Sequence, residues 1–158
     1  MRRAVRRLAR RNFGFAGTPI KDASDWDAAA TQAIATARTH ADAINGKNRD
    51  PLLTLRRLDA VSVALCSVLD PAALCVAAHD CDDWRAAASG AAARVEAVME
   101  ELNADAALAS AAAACAAAND LPPSARRLAD AFHSEFSRDG HFAAARALER
   151  QAVQLLFA

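Results

Sequence analysis

The chain has 158 residues, no net formal charge and 54% apolar residues, a fraction dominated by Ala. That length suits one domain with a real core, while five Gly, five Pro, no Tyr and few β-branched residues leave little material for strands. The composition argues against a strand-built fold and, through the helix propensity of Ala, predicts an all-α class.

The zero balance hides an asymmetry. Residues 1–11, MRRAVRRLARR, hold six Arg and no acid, which leaves 13 basic against 19 acidic side chains in the remainder. An Arg-rich, acid-free start with Val5 and Leu8 interleaved has the character of a mitochondrial targeting arm. The same composition also suits a basic arm for RNA or for an acidic membrane surface. Residues 12–22 follow as a lead-in containing Gly14, Gly17 and Pro19, expected to be extended. Residues 23–158 are then read as one helical domain.

Ser24 with Asp27 three residues on is a variant of the capping box and opens the first helix. Trp26, Ala30, Ile34, Ala37, Ala41 and Ile44 recur at steps of three and four, forming one buried face. His40 stands among polar neighbours and is expected at the surface. Asn45-Gly46 supplies the stop.

Asp50-Pro51 opens the second helix, with Asp as N-cap and Pro at the first helical position. Leu55, Leu58, Val61, Leu65 and Val68 form its stripe, with Arg56, Arg57 and Asp59 facing outward. The Arg56-Arg57 pair suits either phosphate contact or a solvated face. Asp70-Pro71 repeats the cap signature, so a separate short helix is predicted, carrying Leu74 and Val76.

His79, Cys81, Asp82 and Asp83 all have metal-binding side chains. No second ligand pair stands at a suitable spacing, and the two Asp sit where the next helix needs negative charge at its N-terminus. A further reading makes Cys81, with His79, the nucleophile of a hydrolase. No catalytic, cofactor-binding or metal-ligating residue is therefore assigned.

Trp84, Ala87, Ala91, Val95, Val98 and Leu102 mark the next helix, with Met99 beside them and Asn103 at the end. Ser89-Gly90 within it is expected to permit close approach by a neighbour, or a slight bend. Ala107–Ala118 is read as a further helix rather than a low-complexity spacer, on propensity alone. Asp120-Leu121-Pro122-Pro123-Ser124 forces a turn and caps a helix bearing Leu128, Phe132 and Phe136, with Arg126 and Asp130 spaced to pair. Gly140 stops it. A last helix carries Phe142, Ala145, Leu148, Ala152 and Leu155 and ends on an apolar turn, which suits a segment of a longer chain, a tail docked on a partner, or one tucked into its own core. The sum is an antiparallel bundle of about six or seven helices.

All four Cys, at 66, 75, 81 and 115, are expected to be buried free thiols. No C-x-x-C pair exists among them, which argues against a structural zinc or thioredoxin-like site. No apolar run approaches 18 residues without a charge, so no membrane-spanning segment is expected.

One ordered set of residues resembles the N-terminal helical region of mitochondrial intermediate peptidases, members of the thimet-oligopeptidase-like zinc metallopeptidases. The set begins with Asp59, Ser62, Leu65-Cys66, Val68, Asp70, His79, Trp84 and Ala86-Ala87. It continues through Met99, Leu102-Asn103, Arg126-Arg127, Ala129, Phe132 and Phe136. Gly140-His141-Phe142 is similar to a Gly-x-His-Leu element, one residue short, and Phe13-Gly14 before Pro19 is similar to a Phe-Gly-x-Pro entry. The H-E-x-x-H helix that supplies that family's zinc ligands and general base is missing. None of His40, His79, His133 or His141 is followed by Glu.

The resemblance implies a non-catalytic wall of a channel that admits short unfolded peptides in the mitochondrial matrix. Zinc would belong to the full-length enzyme and not to this chain. Partners would be a peptide substrate or a catalytic domain. Alternatively, a peptidase-derived subunit would join a larger mitochondrial assembly, with RNA contact through the basic arm if that assembly contains RNA.

Overall fold

A computed structural model describes residues 15–44 and 50–138. The basic arm, Asn12–Gly14, the Asn45-Gly46 stop, Gly140 and the expected last helix lie outside the described residues. Among the described residues every regular element is helical, with no strand. A 3-10 turn, Phe15–Gly17, precedes α1 (Asp25–Ile44), α2 (Pro51–Ala78), α3 (Asp82–Asn103) and α4 (Ala106–Ala117). Residues 123–138 are helical as well, and are called α5.

The chain divides into two compact units, one built from Met1–Ala37 and Ser62–Val98, the other from Arg38–Val61 and Met99–Ala158. Helices α1, α2 and α3 each contribute a part to both.

In the first unit the lead-in is not extended. The Phe15 N–H donates to the Ile20 carbonyl at 2.7 Å, and the Thr18 hydroxyl donates to the Phe15 carbonyl at 2.6 Å. Ala16 at φ 50° and Gly17 at φ 80° turn the chain back on itself, a left-handed stretch that Gly tolerates and Ala adopts at a cost. The fold-back buries Ile20.

Helix α1 starts differently from the expected Ser24–Asp27 box. Asp25 reaches backwards, its carboxylate accepting from the Lys21 N–H at 2.8 Å and the Asp22 N–H at 3.0 Å. Those two backbone donors hold its carboxyl below the ordinary Asp range. Asp27 is engaged elsewhere: Arg94 of α3 pairs with its carboxylate and also donates to the Thr31 hydroxyl at 3.0 Å. The α1 face runs Trp26, Ala30, Ala33, Ala37, with Ile34 half-buried at its edge. Against it the unit buries Ala64, Leu65, Val68, Ala72 and Cys75 of α2 and Ala88, Ala91, Val95 and Val98 of α3. Ala on so many facing positions lets helices approach closely, and leaves Trp26 as the bulkiest fully buried side chain.

The largest correction concerns Pro71. No break occurs at Asp70-Pro71, and α2 is a single helix of 28 residues with Pro71 inside it and buried. Pro lacks the N–H that would bond the carbonyl four residues back. Burial of Pro71 and Ala72 in line with Val68 and Cys75 offsets that loss, since the apolar face gains more by continuing than by stopping. Leu74 and Val76, assigned to the separate short helix, instead lie on the continuous α2 and are exposed.

Gly90 corrects another expectation. A Cβ built there meets nothing within 4 Å, so no neighbour approaches closely. Gly90→Ala is therefore expected to stabilise the protein by about 0.5–1 kcal/mol, the ordinary helix-interior difference. A rise in the urea midpoint with an unchanged slope would register it, and a fall would show a tight contact at this site.

The second unit begins its α2 part as expected. Asp50 caps the helix, accepting from the Leu52 N–H at 3.0 Å, and Leu55, Leu58 and Val61 are buried. Arg57 is half-buried rather than outward, and donates to the Ala43 carbonyl in the last turn of α1. Asp105 caps α4, accepting from the N–H groups of Ala107 and Leu108 at 2.7 and 3.2 Å. Helix α4 buries Leu108, Ala112 and Cys115 on one side. Arg126 does not serve as Asp130's partner but donates to the carbonyls of Ala116 and Ala118, satisfying the end of α4. Arg38 and Glu101 pair at 2.8 Å on the surface of this unit.

Candidate functional site

The densest grouping of polar and aromatic side chains lies in the first unit, where α2 ends and α3 begins. Four rings meet there. His79 stacks on Trp84 with centroids 4.6 Å apart and planes 12° from parallel. Phe15 sits 5.9 Å from His79 and 6.1 Å from both Trp26 and Trp84, tilted to each. Such tilted and offset pairs favour ring packing beyond area burial alone.

The link 79–81 is ordered by hydrogen bonds. The His79 N–H closes the last turn of α2 on Cys75, and Nδ1 of the same residue accepts from the Cys81 N–H at 3.1 Å. Arg85 donates to the His79 carbonyl at 2.6 Å and pairs with the Asp82 carboxylate. Asp82 and Asp83 stand in the first turn of α3, where the helix dipole favours them.

These bonds bear on the metal and thiol readings of the stretch. His79 already accepts a backbone N–H with Nδ1 and has one ring face on Trp84, an arrangement that positions the ring as a structural plate. Cys75 is buried, its thiol pointing at the Trp84 carbonyl at 3.7 Å, and burial pushes that thiol up, away from thiolate character. Cys115, in the second unit, is likewise buried and raised by burial, with a smaller upward push from Asp50. Cys66 and Cys81 are exposed, so only two of the four thiols are buried as expected. Among the described residues no three His, Cys, Asp or Glu side chains gather as a metal-binding group.

The remaining singled-out residues are scattered. His40 is half-buried rather than at the open surface, and His133 is exposed, its carbonyl accepting from the Ser137 hydroxyl at 2.7 Å. Arg56 is exposed on α2, while Arg57 is the carbonyl donor described above. His141 lies outside the described residues.

A second feature of this unit is a set of exposed apolar side chains on α2. Val63, Leu74 and Val76 of α2 are 61, 51 and 44% exposed. Among the described residues α2 is long and apolar enough, by length and composition, to cross a membrane, yet only 33% of its most apolar 18-residue stretch is buried. Its apolar content thus exceeds what its own core uses. From Ser62 to Trp84 the chain carries Asp70, Asp80, Asp82 and Asp83 and no Lys or Arg. All four carboxylates are exposed, so an apolar face is studded and terminated by negative charge.

Comparison with known proteins found no matching family model, no matching curated protein and no matching solved structure.

Proposed function

We propose that this chain is a non-catalytic helical module that binds polypeptide on the exposed side of α2. The observation that carries the reading is the apolar surplus of that helix, whose Val63 and Leu74 stand exposed at nearly the same azimuth three turns apart, with Val76 exposed on another side. Exposed apolar groups collected on one element mark interaction surfaces more often than chance exposure does. His79, Asp82, Arg85 and the Cys75 thiol at the end of α2 are engaged in backbone bonding, pairing or packing, which supports binding over chemistry.

In its narrower form the module is the peptide-facing wall of a mitochondrial-intermediate-peptidase-like enzyme of the matrix. The zinc and the general base would then reside in a separate catalytic domain. The alternative is an accessory subunit of a mitochondrial assembly, in which the same α2 face is covered permanently. Its basic arm, residues 1–11, would serve targeting or RNA contact. The described helices would belong to an antiparallel bundle of six or seven.

A fluorogenic unfolded peptide, supplied with zinc, tests binding and cleavage together. Binding is expected as a rise in anisotropy, with no dequenching, and it should weaken when Val63→Ser and Leu74→Ser are combined. Zinc-dependent dequenching would overturn the non-catalytic reading. Absence of binding, or binding indifferent to the double substitution, would overturn the module.

A further inference from the structure

We propose that residues 15–22 form a strap closed over the rings of Trp26, His79 and Trp84, that Asp25 latches the strap to α1, and that it opens as one unit when Asp25 is protonated. This device is separate from the exposed side of α2 and stands or falls apart from the polypeptide-binding reading.

The segment is bonded chiefly to itself. The Phe15 N–H donates to the Ile20 carbonyl at 2.7 Å, while the Thr18 N–H and hydroxyl both donate to the Phe15 carbonyl, at 2.9 and 2.6 Å. The Ile20 N–H donates to the Thr18 hydroxyl oxygen at 3.3 Å. The tie to α1 is Asp25, one carboxylate oxygen of which accepts from both the Lys21 and the Asp22 N–H. Its own N–H returns to the Asp22 carbonyl at 3.1 Å. Among the described residues no hydrogen bond joins residues 15–22 to α2 or α3. Two side chains anchor the segment across the unit: Ile20, which is buried, and half-buried Phe15, whose ring tilts against Trp26, His79 and Trp84. A piece that satisfies its own backbone and is held by few apolar groups opens at less cost than the whole fold. Ala16, at φ 50°, adds a backbone strain that opening relieves.

Charge decides when the latch holds. The two backbone donors favour ionised Asp25, and the Lys21 ammonium adds a smaller push the same way. The neighbouring charged groups have other engagements. Asp22 is exposed on the strap itself. Asp27 of α1 pairs with Arg94 of α3, and at the α2–α3 link Arg85 pairs with Asp82 while Nδ1 of His79 accepts the Cys81 N–H. Asp25 is thus the group whose ionisation is tied to the strap. A proton on it turns a charge-assisted acceptor into a neutral one, which weakens both bonds together. A carboxyl held below its ordinary value stabilises the closed form at every pH above that value, and the contribution is lost as pH falls through the lowered one. The strap is therefore closed at neutral pH and opens in acid, below the ordinary Asp range.

The chain's two Trp both lie under the strap, so the test follows their emission in the full chain as pH is lowered from neutrality, with far-UV circular dichroism alongside. Emission is expected to shift to longer wavelength below the ordinary Asp range while the helical signal persists. Asp25→Asn keeps an acceptor and cannot titrate, so it should stay closed and lose that step. Asp25→Ala has no acceptor and should show the open emission at neutral pH. Lys21 supplies a second readout, being the one Lys or Arg between Arg11 and Arg38. Trypsin at neutral pH should cleave after it about tenfold faster in Asp25→Ala than in the parent. Asp22→Asn, whose carboxylate makes none of these bonds, should match the parent in both measurements. An acid step that survives in Asp25→Asn would overturn the latch. A step that coincides with loss of the helical signal would mean that acid unfolds the unit as a whole, and would overturn the strap. Parent-like cleavage at Lys21 in Asp25→Ala would overturn it too, and if that variant lost its helices the Asp25→Asn titration would decide alone.

Discussion

Trp26→Ala is expected to lower stability by about 3–5 kcal/mol, the range for removing a fully buried aromatic side chain, and enough to unfold a large fraction of a marginally stable domain. The site has little means of relaxing. Trp26 is completely buried, and most of the other buried side chains of its unit are small, among them Ala30, Ala33, Ala72, Ala88, Cys75 and Val95, too short to swing into a void of that size. Phe15, its ring 6.1 Å away, is the one aromatic positioned to follow. Movement of Phe15 would break its contacts with His79 and Trp84. The companion substitution Trp26→Phe separates two effects. The indole N–H of Trp26 is buried without a hydrogen-bond acceptor among the described residues, a state that costs roughly 1–3 kcal/mol. Phe removes that donor along with some packed surface, and the two changes oppose. Trp26→Phe should therefore fall within about 1.5 kcal/mol of the parent by urea denaturation. If it were as damaging as Trp26→Ala, an acceptor for the indole would have to exist and the accounting of this core would be wrong.

How far this fold was legible in the sequence follows from the kind of signal each element carries. Asp50-Pro51 reported its helix start faithfully because both residues act locally, one through its side-chain acceptor and the other through its fixed φ. Asp70-Pro71 carries the same local signal and reported falsely. There the continuing apolar face of Val68, Pro71, Ala72 and Cys75 overrides the missing N–H, and only tertiary burial reveals it. The α1 stripe was misplaced by one position, at Ala33 rather than Ile34, since in an Ala-rich helix small residues fit the close-packed side and the larger Ile is pushed to its edge. Asp105, which accepts from two N–H groups at the start of α4, was readable from the N-cap preference and passed over, because ALASAAAACAAA has no periodicity to direct attention to its start. The exposure of Val63, Leu74 and Val76 was not legible either, since sequence periodicity does not distinguish an apolar side chain turned inward from one turned out. The acidic run His79–Asp83 looked like chemistry and is accounted for by backbone capping and ring stacking.

The second large effect is expected in the other unit, at Leu55. Leu55, Cys115 and Ala129 form a buried cluster, with Ala116, Leu121, Ala125, Leu128 and Phe132 partly buried around it. Leu55 is the largest fully enclosed side chain of that group, so Leu55→Ala removes most of its apolar volume. Large-to-small changes of this type span about 2–5 kcal/mol, according to how well the site collapses. Here Leu121, Leu128 and Phe132 are half-buried and border the void, so partial refilling places the expected loss near the lower end, about 2–3 kcal/mol. A chemical readout follows from the thiol beside it. In the parent, Cys66 and Cys81 are exposed and should react rapidly with a thiol reagent. Cys75 and Cys115 should react slowly, being buried with their thiols raised by that burial and directed at the carbonyls of Trp84 and Pro51. In Leu55→Ala the void adjoins Cys115 alone, so a third fast thiol should appear while Cys75 stays protected. Reaction of Cys75 at the same rate as Cys115 would mean that the loss spreads through global unfolding instead of a local opening. Unchanged protection of Cys115, with a stability loss below about 1 kcal/mol, would mean that Leu55 does not hold this cluster together.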